Sequence, residues 1–272
     1  MLKIAEKKRT VLDIRAAKNA AEPFLALTAY TAPIAMLADK VADMVLVGDS
    51  LGMVLYGMPN TLGVTLDMMI THGTAVARYC QRALCIIDMP FGSYQSSPSQ
   101  AFDNAARVIS QTGAQAVKLE GGEEMAETIK FLVERGIPVV GHIGLRPQLL
   151  HTMGGYRIQG KTDATHELLL RDAKAVEQAG AFAMVVEGVV ETSAREVTES
   201  VSIPTIGIGA SSACDAQILV SEDALGLTPL PRAKFVKAYA ELRAQAEQAL
   251  EQLAADVKAR RFPGPEQTYV KK

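Results

Sequence analysis

Eight short apolar runs recur along this chain, most of them separated by a stretch of helical periodicity or by a loop and such a stretch. They cover residues 24–29, 45–47, 84–87, 116–119, 137–140, 183–186, 203–206 and 217–220. Runs this short, bounded by turn residues, suit strands buried on both faces, the condition of a parallel sheet covered by helices. Eight such units in 272 residues favour a (β/α)8 TIM barrel, a fold that closes in about 250 residues. The competing open Rossmann-like sheet calls for G-x-G-x-x-G after the first strand, and Thr28-Ala29-Tyr30-Thr31 is not that. The expectation is one barrel domain over residues 1–272, with an N-terminal helical segment and C-terminal helices; no internal repeat is evident beyond the alternation.

Local signals fill in the units. A helix is predicted near 11–18 and another over 33–42, where Pro33 suits the first turn. Ser97-Pro98-Ser99-Gln100 reads as a helix start: Ser97 caps, Pro98 takes the first position and Gln100 closes a capping box. Helical spacing also marks 66–80, 164–179 and the segment holding Met125, Ile129, Leu132 and Val133. Two or so further helices are expected over 231–260. Residues 53–65 and 145–163 are loops too long for simple βα turns, and loops of that length in compact domains are usually functional.

Four of the apolar runs lead directly into an acid. Val45-Leu46-Val47-Gly48 precedes Asp49, the 84–87 run precedes Asp88, the 116–119 run precedes Glu120, and the 183–186 run precedes Glu187. A fifth runs through Gly141 to His142. In a barrel these strand ends converge on one mouth, where barrel enzymes build their sites. Lys118 lies two residues before Glu120 and therefore on the same side of its strand. Carboxylates gathered in a partly dry cavity repel one another, and a divalent cation is the usual remedy. Oxygen donors select a hard ion, and Mg²⁺ keeps positions open for water and substrate oxygens. Asp49 and Asp88 are the first choices as direct ligands, Glu120 coordinates directly or through water, and Glu187 is then free to act as a base. Taken singly, an acid after a strand serves as a cap or a loop salt bridge; it is the set of four that points to a site.

Other side chains leave alternatives open. Ser50 either caps the turn that follows or faces the site, Lys118 either neutralises a carboxylate or holds one from a substrate, and His142 reads as a packed residue supporting the site. Gly207–Ser211, after the seventh strand, stands where many barrels bind phosphate, although glycines there also serve tight turns. Cys80, Cys85 and Cys214 lack metal spacing and read as reduced, packed thiols of a cytoplasmic protein. The 28 basic and 30 acidic side chains leave no basic patch for nucleic acid. No apolar run approaches the roughly 20 residues of a membrane span, and residues 1–8 do not read as a secretory signal.

Val47-Gly48-Asp49-Ser50-Leu51-Gly52-Met53, Asp88-Met89-Pro90-Phe91, Val117-Lys118-Leu119-Glu120-Gly121-Gly122, Gly141-His142-Ile143-Gly144-Leu145, Gly154-Gly155-Tyr156 and Ile206-Gly207-Ile208-Gly209-Ala210 together carry a resemblance. In order and spacing the chain resembles the ketopantoate (3-methyl-2-oxobutanoate) hydroxymethyltransferase family from roughly Thr10 to Pro263. The resemblance implies a barrel of the phosphoenolpyruvate/pyruvate type, in the cytoplasm, assembled as a homo-oligomer that is often a decamer. It implies transfer of a hydroxymethyl group from the co-substrate 5,10-methylenetetrahydrofolate to a 2-oxo acid, on the route to pantothenate. By matched position Asp49, Asp88 and Glu120 resemble the Mg²⁺ ligands, and Asp49, Ser50, Asp88 and Lys118 the substrate contacts. Glu187 resembles the general base. The chain departs from the family pattern at Thr31, Tyr56, Gly63, Ser211 and Ala216, none of which is a proposed ligand or the base.

Three other readings compete with this one. A C–C lyase of the same superfamily would also use Mg²⁺ and an enolate, but the cysteine-bearing loop of such lyases is not evident. A Schiff-base aldolase would use Lys118 as nucleophile. A metal-binding structural subunit would keep the acids without turnover.

Overall fold

Each strand of the barrel alternates between an inner and an outer set of side chains, and that alternation places the site. In the computed structural model, which describes residues 7–270, the strands are β1 (Phe24–Thr28), β2 (Met44–Val47), β3 (Leu84–Asp88) and β4 (Ala116–Lys118). They continue as β5 (Val139–Gly144), β6 (Ala183–Glu187), β7 (Thr205–Ile208) and β8 (Ala216–Leu219). All neighbours pair in parallel, and β1 meets β8 with Phe24 opposite Ala216, closing the barrel in strand order. The (β/α)8 expectation is met.

Helices alternate with the strands. They are α1 (Val11–Arg15), α2 (Ala32–Ala38), α3 (Leu51–Val54), α4 (Leu66–Ala77), α5 (Pro98–Thr112) and α6 (Ala126–Glu134). Then follow α7 (Leu150–Met153), α8 (Asp163–Gln178), α9 (Glu191–Ser200), α10 (Ser221–Ala224) and α11 (Leu242–Lys258). The barrel lies in a compact unit that ends at Ser221, and residues from Glu222 onward form a second unit. Within that second unit the expectation of two or so helices over 231–260 narrows to α11. Its N-terminal approach is tied by Arg232 pairing with Glu241 at 2.8 Å and by the Leu242 amide donating to the Leu225 carbonyl.

The inner set includes Ala26, Met44, Leu46, Leu84, Ile86, Ala116, Val140, Ala183, Val185, Ile206, Ala216 and Ile218, with Ile14 of α1 packed against them. The outer set, among it Val45, Val47, Cys85, Ile87, Val117, Val139, Ile143, Met184 and Val186, meets the helices. Side chains two apart share a face. Above the inner layer, therefore, the next inward positions are Asp88, Lys118, His142 and Glu187. Where helices press closest, glycine is required. A Cβ on Gly141 would stand 2.4 Å from Val176 Cγ1 of α8.

Several local expectations are corrected. Ser97 does accept from the Gln100 amide, but the Gln100 side chain accepts from the amide and hydroxyl of Ser96, so the reciprocal half of a capping box with Ser97 is not made. His142 lies inside β5 rather than at its end, and Glu120 lies two residues beyond β4. The loops expected over 53–65 and 145–163 are partly ordered by α3 and by a 3₁₀ turn, Pro147–Leu149, leading into α7. Helix α9 was not anticipated, although Ala194 and Val197 stand at helical spacing on its buried face beside Ser193 and Thr198. Cys80, Cys85 and Cys214 are buried and free. Residues 1–6, on which the reading of the N-terminus rests, lie outside the described residues. Among the described residues no helix is long and apolar enough to cross a membrane.

Candidate active site

Six of the side chains singled out in the sequence meet above the inner layer of the barrel. Asp88, at the end of β3, accepts the Asp49 amide on Oδ2 at 3.2 Å and pairs with Lys118 Nζ through Oδ1 at 2.9 Å. Lys118 also lies 3.2 Å from His142 Nδ1. His142 in turn places Nδ1 3.6 Å from Glu120 Oε1 and Nε2 3.3 Å from Glu187 Oε2. Asp49, Asp88, Lys118, Glu120 and His142 are all buried, while the Glu187 side chain keeps 21 % of its surface exposed and so sits at the open side of the group.

Ser50 does not cap the turn after β2. Its backbone is helical and its hydroxyl bonds the buried Tyr30 hydroxyl at 2.7 Å. Glu120 is held in two ways: the Gln148 amide donates to Oε2 at 3.1 Å, and the backbone amide of Glu120 donates to the Tyr94 hydroxyl at 3.1 Å. Sequence reading passed over Tyr30, Tyr94 and Gln148. Each lies in a segment that follows a strand at the mouth of the barrel, which is the one signal that could have marked them.

The charges follow from burial and proximity. Desolvation, reinforced by Asp88, pushes the Asp49 carboxyl up to about 7. Desolvation alone pushes Glu187 up to about 7 against the pull of Lys118. Burial likewise drives Glu120 well above the usual carboxylate range. For Lys118 burial acts downward, yet Asp88, Glu120 and Asp49 outweigh it and hold the ammonium charged. Burial and the Lys118 charge keep His142 neutral. An ammonium can only donate, so the contact makes Nδ1 of the neutral ring an acceptor and leaves the hydrogen on Nε2, facing Glu187. A lysine held protonated is the opposite of what a Schiff-base nucleophile needs, which weighs against the aldolase reading.

A metal ion here would have to be held by these donors. Among the described residues no three His, Cys, Asp or Glu side chains form a group that could hold one unaided. Mg²⁺ does not require such a group; it binds through one or two carboxylates and completes its shell with water and substrate oxygens. Asp49 and Asp88 supply that pair, and the buried Glu120 Oε1 makes no hydrogen bond. Three desolvated carboxylates beside one lysine, with an acceptor left unfilled, fit a hard divalent cation.

With the geometry in place, comparison with known proteins is informative. The sequence profile described as "Ketopantoate hydroxymethyltransferase" matches residues 8–265. The chain is 58 % identical over 266 residues to the 3-methyl-2-oxobutanoate hydroxymethyltransferase of Rhodospirillum rubrum, covering 97 % of this chain and 96 % of that one. It is 59 % identical over 263 residues to the protein of the same name from Rhizobium rhizogenes, covering 97 % and 96 %. Among solved structures it resembles 2,3-dimethylmalate lyase, described as a PEP mutase/isocitrate lyase superfamily member. The TM-score is 0.54 at 17 % identity, covering 96 % of this chain and 91 % of that one, a likeness of fold.

Proposed function

The chain belongs to the ketopantoate hydroxymethyltransferase family, a family of transferase enzymes, and from that premise we propose that it converts 3-methyl-2-oxobutanoate to 2-dehydropantoate. The one-carbon unit comes from 5,10-methylenetetrahydrofolate, with one water entering the overall balance and tetrahydrofolate leaving. The product lies on the way to pantothenate.

The observation that carries this reading is a carboxylate poised near neutrality, 3.3 Å from a neutral imidazole whose other nitrogen faces a separate, more deeply buried set of charges. Removal of a proton next to a carbonyl needs a base whose pKa lies close to the working pH. Glu187 fits that role. It takes the single proton on C3 of the keto acid, and the His142 ring, its Nε2 3.3 Å from Oε2, packs beside the accepting carboxylate. Lys118 and Ser50 bind the substrate carboxylate, Lys118 through its ammonium and Ser50 through a hydroxyl oriented by Tyr30. Asp49 and Asp88 would hold Mg²⁺, with Glu120 joining directly or through water. When bound, that ion supplies Lewis-acid polarisation of the keto oxygen. Carbon 3, once deprotonated, forms one new bond to the methylene carbon of the folate, and both carbon–nitrogen bonds of that methylene break. Water supplies the hydroxyl, and the two nitrogens leave protonated with the proton from C3 and the second hydrogen of the water.

The deciding experiment follows C3 exchange into deuterated water by proton NMR with and without Mg²⁺, then product formation on adding methylenetetrahydrofolate. Mg²⁺-dependent exchange without folate, and 2-dehydropantoate with it, is the expected pair of results. Absence of both removes the reading.

A further inference from the structure

Gln148 sits on the 3₁₀ turn Pro147–Leu149 that opens the segment after β5, and it is only 3 % exposed. Its Nε2 donates to Asp49 Oδ2 at 2.9 Å and to the Met89 carbonyl at 2.9 Å. Its Oε1 accepts from the Tyr94 hydroxyl at 2.7 Å and from Gln95 Nε2 at 3.1 Å. Its backbone amide donates to Glu120 Oε2 at 3.1 Å. One buried side chain and its own amide thus bridge the segments after β2, β3 and β4.

Chemistry dictates the sense of that side-chain amide. The Met89 carbonyl and a carboxylate oxygen can only accept, so the NH₂ group must face them. The Tyr94 hydroxyl already accepts from the Glu120 amide and has its own hydrogen to give, so it needs an acceptor. Turning the amide over would set oxygen against two oxygens and NH₂ against a second NH₂. Buried polar groups left unpaired in this way are costly, so these contacts favour one orientation.

We propose that Gln148 is a positioning residue that selects which oxygens of Asp49 and Glu120 face the reacting ligand. By engaging Asp49 Oδ2 it fixes the rotation of that carboxylate and with it the placement of the other oxygen. By engaging Glu120 Oε2 it leaves Oε1, which makes no hydrogen bond, as the acceptor presented to the cavity. The inference rests on the reading above, in which Asp49 and Asp88 hold a divalent cation beside the keto acid. Groups that orient metal-binding side chains typically contribute roughly 10–100-fold in metal affinity.

The test uses the full chain with Gln148→Met, which keeps the volume and removes the donors, and Gln148→Asn, which keeps the donors one methylene short. Near-ultraviolet circular dichroism and a cooperative thermal transition establish which variants fold; if Gln148→Met does not, Gln148→Asn decides. Mn²⁺ alone is titrated by electron spin resonance, and C3 exchange of 3-methyl-2-oxobutanoate is timed by NMR. The expected result is Mn²⁺ binding weakened by roughly 10–100-fold with a parallel fall in exchange rate. A folded variant that binds Mn²⁺ and exchanges C3 within about twofold of the parent, too small a change for a lost orienting group, overturns the proposal. If the parent itself shows neither Mn²⁺ binding nor exchange, the functional reading fails instead. Crystal structures of metal-free parent and Gln148→Asn then judge Gln148, and unchanged Asp49 and Glu120 carboxylate orientations overturn its role.

Discussion

His142 Nε2 stands 3.3 Å from Glu187 Oε2, on the side of the ring away from Lys118. Because the ring is neutral, it stands beside Glu187 without discharging it. Glu187→Gln keeps the size of the side chain and removes the base. C3 exchange is expected to fall by roughly 10²–10⁴-fold, with keto-acid affinity by calorimetry little changed. Exchange at the parent rate would take the base role away from Glu187.

A base that titrates at about 7 imposes a pH limb. The ionised form is the active one, so kcat/KM for exchange should drop about tenfold per pH unit below 7 and level off above it. A rate-profile over pH 5–9 checks this, and a flat profile is the contrary outcome.

Stability carries the opposite slope. Glu187 is raised from 4.5 and Asp49 from 3.8, each to about 7, so the folded metal-free protein holds more protons than the unfolded chain between roughly pH 4 and 7. These groups contribute stability that is full below pH 4 and lost as pH rises through 7. Mg²⁺ competes with those protons, so its stabilising effect should be larger at pH 8 than at pH 5.5. At a hundredfold excess over Kd the gain is about 2.7 kcal/mol. Scanning calorimetry with Mg²⁺ or chelator at the two pH values measures it, and Asp88→Ala should weaken the Mg²⁺ affinity directly.

Among the described residues Lys118 is the cation paired with Asp88, and it is buried with it. Lys118→Met leaves three carboxylates with no counter-charge at that point. Breaking a buried pair by removing one partner costs about 3–5 kcal/mol, read as a lower urea midpoint. The loss should shrink as pH falls and the acids take up protons; a loss independent of pH would mean that Lys118 contributes by packing alone.

Gly144 has φ +91°, and a Cβ there would lie 2.4 Å from the Glu187 carbonyl oxygen. Gly144→Ala therefore presses on the backbone that carries the base. Backbone strain of this kind costs about 1–3 kcal/mol, and the exchange rate should fall with it while Mg²⁺ affinity holds. A variant that is destabilised but exchanges normally would separate the glycine from catalysis.

Much of this site was legible in the chain because Asp49, Asp88, Glu120 and Glu187 each interrupt the polarity of an apolar run. A carboxylate straight after a strand buried on both faces has no place in a core, so position alone marks it. Gln148 and Tyr94 were not legible for the converse reason. Both are uncharged, both sit in irregular segments, and their importance lies in partners 26 to 99 residues distant. Helix α9 was legible only in part: Ala194 and Val197 carry an apolar spacing, and Ser193 and Thr198, satisfied by hydrogen bonds to Gly160 and Ala194, dilute it.

The seam between Phe24 and Ala216 joins the first strand to the last. The strands that carry or lead into Asp49, Asp88, Lys118, His142 and Glu187, β2 through β6, pair with one another in sequence order, so each of these groups is seated against a strand already synthesised. The last strand adds none of them; it gives β1 its second neighbour and removes the two open edges that an unclosed sheet would present to another chain.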